Sequence, residues 1–330
     1  MFMATPRTLL LLAMLCVAAV SVFVHEARRE PRFEARDWRY WLQELNTCDD
    51  ARHEHARHAF RAMGDGLVPV LVRALRKDDS WIAKGNDKWG NKLPNAWRRW
   101  LPTCGDAGKI RAQAAEAFST LGPEAKRAVP DLVAALSDAS EDASRNAADA
   151  LGRIGPAARD AVPALAKLLA SPANSLEVAA AQALGRIGSN SAPAVPGLIR
   201  NLSSPTPLVC ASAASALGKI GGPATDACVA LIALTRDADD YVRTSAVVAL
   251  GKLGAKHPET LVALTAALWD SSYPVRVCAV EALGEIGTSA KPAVPAIVNA
   301  QLCDQSGLGR FVVSALRKIA APNDAVEVRP

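Results

Sequence analysis

The sequence predicts an all-α solenoid of stacked antiparallel helix pairs. Three observations point there. The words Ala150-Leu-Gly-Arg-Ile-Gly155, Ala183-Leu-Gly-Arg-Ile-Gly188, Ala216-Leu-Gly-Lys-Ile-Gly221, Ala249-Leu-Gly-Lys-Leu-Gly254 and Ala282-Leu-Gly-Glu-Ile-Gly287 recur with a period of 33 residues, and self-similarity at that length is the mark of a repeat array. Apolar residues within each period recur at i, i+3, i+4 and i+7, the spacing of one helical face. Half of the 330 residues are hydrophobic but only 5% are aromatic, so the core is built from small and aliphatic side chains.

In chain order, Thr8 to Val24 are 17 uncharged, mostly aliphatic residues, with Arg7 before them and Arg28, Arg29 and Arg32 after. Residues 1–24 read as a signal peptide, with Ala19-Val20-Ser21 as a small-residue cleavage site, or as an uncleaved membrane anchor at the lower limit of a bilayer span. Both leave the repeats extracytoplasmic or tethered to a membrane, although the arginines behind the segment favour the opposite orientation for an uncleaved anchor. Cys16 follows the bulky Leu15 where a lipidation signal needs a small residue. Residues 25–50 form a spacer and a short helix on which Trp38, Trp41, Leu42 and Leu45 make one apolar stripe, suited to capping the open end of the array or to lying on a membrane surface.

The array occupies 51–320, with one divergent unit at 51–77, six regular units from 109 to about 305, and a half-unit from Gly309 to Ala320 ahead of a tail, 321–330. In the first helix of each unit, an alanine column (Ala117 to Ala315) and a Phe118/Leu column mark the buried seam. The glycine at 152, 185, 218, 251 and 284 permits close approach of a neighbouring backbone. The glycine at 122, 155, 188, 221, 254 and 287 ends the helix, and is expected in the left-handed cap conformation. Proline at 130, 163, 196 and 295 opens the second helix, whose stripe begins at Val129, Leu132, Val133 and Leu136.

The pattern Val-Arg-x-x-Ala-x-x-Ala-Leu-Gly-x-Ile-Gly, seen from Val242-Arg243 to Gly254 and from Val275-Arg276 to Gly287, resembles HEAT repeats of the short bacterial, phycobilisome-lyase-like type over roughly 51–320. The Thr-Pro-Leu-His turn of ankyrin and the aromatic signature of tetratricopeptide repeats are missing. The resemblance implies a non-enzymatic scaffold that binds a protein or peptide, with the second helices on the concave side. The alternative it carries is a lyase-like or chaperone-like protein handling a chromophore or prosthetic group, which would need a reactive Cys or paired acids.

Chemistry-bearing residues are sparse. The seven cysteines show no metal-ligand spacing; Cys228 fills a valine column, and Cys48 and Cys104, flanking the first unit and its insertion, leave a disulfide open. His55 and His58 share a helix face but His53 points away, so no metal or cofactor site is expected, and His257 reads as a solvated turn residue. HEAT-like hydroxylases that bind iron use several His-Glu pairs across the array; here such pairs occur only at His25-Glu26 and His53-Glu54. Beyond residue 108 basic and acidic residues nearly balance, which argues against a nucleic-acid partner. The cation column Arg153, Arg186, Lys219, Lys252 and Lys318, interrupted by Glu285, reads as helix-end charge opposing the dipole. Two places remain for partner binding. Ala230, Ala233, Ala263, Ala266 and Ala296 make the outward side of the second helices smooth, with Trp269 near its edge, fit for a peptide or simply for tight curvature. About 25 extra residues in the span 78–108 carry Trp81, Trp89, Trp97, Trp100, Arg98 and Arg99, residue types that dominate interfaces, though these tryptophans also suit extra core against the first unit.

Overall fold

A computed structural model describes residues 31–45, 49–76, 106–255, 257–303 and 307–320. The candidate signal segment, Cys48, Cys104, Trp81, Trp89, Trp97, Arg98, Arg99 and Trp100 lie outside those residues. Among the described residues the chain is almost wholly helical, and no helix there is long and apolar enough to cross a membrane.

A two-residue hairpin, β1 (Arg32–Phe33) and β2 (Arg36–Asp37), precedes α1 (Trp38–Glu44). Its turn holds Glu34 and Ala35 at φ 49° and 60°, a conformation L-residues adopt at a cost of about 1 kcal/mol each. The turn aims Phe33 at Trp41 and His58, with ring centroids 5.8 and 5.5 Å away. Asp37 caps α1 by accepting from the Tyr40 N–H. Trp38, Trp41, Leu42 and Leu45 are all buried, so the stripe of α1 is spent on the end of the array rather than offered to a membrane surface.

Among the described residues seven helix pairs follow. Their first helices are α2 (Asp50–Met63), α4 (Asp106–Leu121), α6 (Glu141–Ile154), α8 (Asn174–Ile187), α10 (Pro207–Ile220), α12 (Asp240–Leu253) and α14 (Tyr273–Ile286). Their second helices are α3 (Val68–Leu75), α5 (Val129–Ala135), α7 (Val162–Leu168), α9 (Val195–Asn201), α11 (Cys228–Leu234), α13 (Pro258–Ala267) and α15 (Val294–Cys303), and α16 (Gly309–Ala320) closes the stack as a lone first helix. Six of the second helices are entered through a 3₁₀ segment such as Gly155–Ala161, so the chain returns through a 3₁₀ turn and a short α-helix; α13 lacks that segment.

The terminating glycines have positive φ, as expected, but not the left-handed helical conformation. Gly155 and Gly188 pair φ of 72° and 76° with ψ near −141°, a region open almost only to glycine. The reason is the 3₁₀ segment that follows at once: the chain must double back within one residue rather than wind out of the helix.

The alanine column is buried throughout, and successive first helices touch backbone to backbone. A Cβ on Gly152, Gly185, Gly218 or Gly284 would stand 2.8 or 2.9 Å from the Cα of Ala183, Ala216, Ala249 or Ala315. The first helices therefore run in contact along their length, while the second helices, with Val and Leu between them, meet their neighbours at fewer points. A layer with shorter steps lies on the inside of a bend. The stack consequently bends toward its first helices, the reverse of the layer order the family resemblance implies.

Arginine clamps the turns between units. Arg243 Nε and Nη2 donate to the two Asp270 carboxylate oxygens at 2.8 and 2.9 Å, and Nη1 donates to the Asp237 and Ala238 carbonyls of the preceding turn. Both side chains of the pair are only 12% exposed. Burial by itself would raise the Asp270 pKa, but the hydrogen bonds from Arg243 and the Ser272 N–H outweigh it and hold the carboxyl below the usual range. Arg111 and Asp138 repeat the arrangement in the second unit.

Two outcomes are expected. Gly218→Ala forces α10 and α12 apart, so its steric cost, about 1–3 kcal/mol, exceeds the helix-propensity gain of up to about 1 kcal/mol; urea unfolding should show a lower midpoint, whereas Gly66→Ala, whose nearest neighbour would be 3.9 Å away, leaves it in place. Arg243→Ala should cost roughly 2–3 kcal/mol at neutral pH. Because the Asp270 pKa is depressed on folding, the pair's stabilisation is full above the unfolded carboxylate pKa of about 3.9 and fades as pH falls through the folded value, so wild type and variant should converge in acid melts.

Candidate functional site

The histidine trio is structural. His53 Nδ1 lies 2.8 Å from the Leu45 carbonyl oxygen, while His55 and His58 pack edge-on against Phe33. Their three rings fasten the cap to α2, and no group of three or more metal-ligating side chains occurs among the described residues. His257 departs from expectation: it is the N-cap of α13, half-buried, with Nδ1 enclosed and without a hydrogen-bond partner.

The thiols are quiet. Cys228 is 1% exposed in its valine-like place. Cys210 donates from Sγ to the Leu202 carbonyl at 3.1 Å, and burial, followed by the charges of Asp237 and Asp239, pushes its pKa up to about 11. Burial, with Glu281 and Glu285, also raises Cys278. None of these residues supplies the thiolate that chromophore attachment would require.

Two surfaces stand out. On the first helices of the first four units, a groove of about 890 Å³ is lined by Arg57, Lys109, Glu116, Arg145, Asn146, Asp149 and Gln182, among others. Charges of both signs alternate along it, and much of its charge is internally committed: Arg57 to Glu54, Arg145 to Asp142, and Arg153 and Arg186 both to Asp149. The side chains of Glu116 and Lys109 make no hydrogen bond or ion pair among the described residues, and burial raises the Glu116 pKa.

The other surface is on the second helices of the last three units, where the alanines were expected to form a smooth groove. Ala230 is half-buried and packs on the core, Ala263 is buried, and Ala233 and Ala266 are exposed. What rises between them is apolar: Val229, Val262 and Leu302 are 61%, 68% and 78% exposed, and Trp269 is 55% exposed. Val229 and Val262 occupy the same place in successive units, as do Trp269 and Leu302, so the exposed side chains form two short rows. Beside Trp269 a hollow of about 360 Å³ opens, floored by Ala263 and Ala267 and walled by Arg236 and Asp270. This surface is a ridge with a pocket at its edge, on the wider-spaced layer. The alanine pattern does not bring out the larger side chains one position away, because Val229 and Val262 stand where the earlier units carry the helix-opening proline.

The family model for HEAT repeats matches residues 103–185, 162–251 and 229–317. Among solved structures, the chain is similar to an engineered protein at 20% identity, covering 87% of this chain and 90% of that one with a TM-score of 0.51. It is also similar to Kap121p bound to Pho4p (14% identity, TM-score 0.57) and to Kap121p bound to Nup53p (13%, 0.56), each covering 86% of this chain but 33% of Kap121p. The chain thus spans about a third of Kap121p, and at these identities the likeness is one of fold. A search of curated proteins finds no match.

Site-resolved alkylation at pH 8 should leave Cys210 and Cys228 unmodified in the folded protein and label them rapidly in denaturant. Rapid native labelling of Cys210 would contradict its burial and raised pKa.

Proposed function

The chain belongs to the HEAT-repeat family, and on that premise we propose that it is a protein-interaction scaffold whose docking surface is the apolar ridge on α11, α13 and α15. The observation that carries this reading is Trp269, an exposed aromatic beside a pocket and next to exposed valines and leucine. Large apolar side chains that a monomer would ordinarily bury mark interaction sites, and a tryptophan at a pocket edge is the usual form of a binding hot spot. Kap121p binds Pho4p and Nup53p with the same kind of array, which supports a protein or peptide as the class of partner.

We place the scaffold outside the cytoplasm or at a membrane, on the strength of the apolar Thr8–Val24 segment, and assign the Trp-rich span 78–108 as a second contact. The partner is read as a protein rather than a nucleic acid because the repeats are close to charge-neutral.

The test is affinity capture from membrane and extracytoplasmic fractions with the soluble chain, with a Val262→Ser/Trp269→Ser variant, and with residues 78–108 removed. A hot-spot tryptophan contributes about 2 kcal/mol or more, so the double variant should lose its partner at least roughly thirtyfold in a quantified titration. Full retention by both altered proteins would refute the assignment of these surfaces. Fractionation of cells expressing the chain with and without residues 1–24 tests the location.

A further inference from the structure

The cations at the ends of the first helices fall into two kinds. Arg153 pairs with Asp149 one turn back at 2.9 Å, and Arg186 reaches across the unit boundary to the same Asp149. Lys219 and Lys252 have Ser215 and Val248 where Asp149 stands for Arg153, and they form no hydrogen bond or ion pair among the described residues. Both lie in the last turn of their helices, as the helix-end reading has it. The stem of Lys219 lies over the preceding unit, its Cδ 3.4 Å from the place a Cβ on Gly185 would take, just as Arg186 lies over Gly152. Arg186, Lys219, Lys252 and, at the far end, Glu285 line a shallow groove of about 710 Å³ that includes Gly185, Gly218 and Gly251. Burial, then Lys252 and Arg186, holds the Lys219 pKa below its usual value, so these cations sit close enough to repel.

We infer that this groove binds an acidic protein segment, whose carboxylates lie between Arg186, Lys219 and Lys252 and whose basic residue faces Glu285. Two features carry the assignment. Two adjacent lysines are left without a counter-ion although the same column supplies one two units earlier. Like-side residues of an extended peptide are about 6.8 Å apart, near the step of about 8 Å between closely packed helices, so successive carboxylates can follow successive units. Glu285 closes the cationic run after three residues, which suits a short acidic motif better than a long polyanion. The site lies on the first-helix layer and does not rest on the ridge reading above.

The experiment uses the full chain and a fluorescently labelled octaglutamate peptide, followed by anisotropy at low salt, with inorganic polyphosphate as the second probe. Lys219→Gln/Lys252→Gln should weaken peptide binding roughly tenfold or more, Lys219→Arg/Lys252→Arg should keep it, and Lys126→Gln/Lys291→Gln, which removes two exposed lysines elsewhere, should change it less than about twofold; screening by salt should erase the differences. The glutamine pair should melt no lower than wild type, because the lysines removed repel one another. Equal losses in the two glutamine pairs, undiminished binding in the first, or a lowered melting temperature would overturn the site. Polyphosphate binding that the first pair abolishes while peptide binding persists would also overturn it, as a phosphate site.

Discussion

The contact on which the rest of this molecule depends is glycine against alanine between consecutive first helices. Removing one side chain per unit lets two backbones meet at van der Waals distance, and that sets the step of the inner layer. The outer layer, spaced by valine and leucine, cannot match it, and the bend follows. Each unit alone has an apolar face it cannot bury, so the contact also makes stacking obligatory. The 3₁₀ segments belong to the same constraint: a first helix pinned at its glycine must turn back sharply, and a glycine with positive φ followed by a 3₁₀ turn does so in the fewest residues.

This geometry divides the surface by chemistry. On the inner layer the closely set helices bring charged columns into register, and much of that charge is neutralised, mostly one turn away within a helix and, where Arg186 reaches Asp149, across a unit boundary. On the outer layer the wider spacing leaves room for side chains to stand out, and in the last three units these are apolar. The chain thus carries a largely self-compensated polar groove, a cationic strip and an apolar ridge on one rigid frame.

The fold was legible because its determinants repeat. A column of alanine, two of glycine and one of proline state the period, the seam and the helix ends, and the half-unit at Gly309 was readable from where the columns stop. The cap was legible too, since Trp38, Trp41, Leu42 and Leu45 share one helical face. The direction of the bend was not, because it depends on the relative spacing of two layers rather than on any single column. Nor was the hairpin turn at Glu34-Ala35, whose residues carry no turn signal and whose conformation is imposed by the packing of Phe33. At the surface, periodicity brought out Ala230 to Ala266 and Trp269 but not the exposed Val229 and Val262 beside them, since a solvent-facing position is not fixed by the core pattern.

The arginine clamps are unevenly distributed along the array. Their column reads Arg111, Ser144, Glu177, Cys210, Arg243, Arg276: Ser144 and Cys210 each make a single side-chain bond to the turn before them, the Glu177 side chain makes none among the described residues, and Arg243 and Arg276 each grip theirs with two. In mechanical terms the links between helix and turn are uneven: they are most numerous in the last units and fewest at Glu177 in the fourth, where no such bond supplements the glycine–alanine contact.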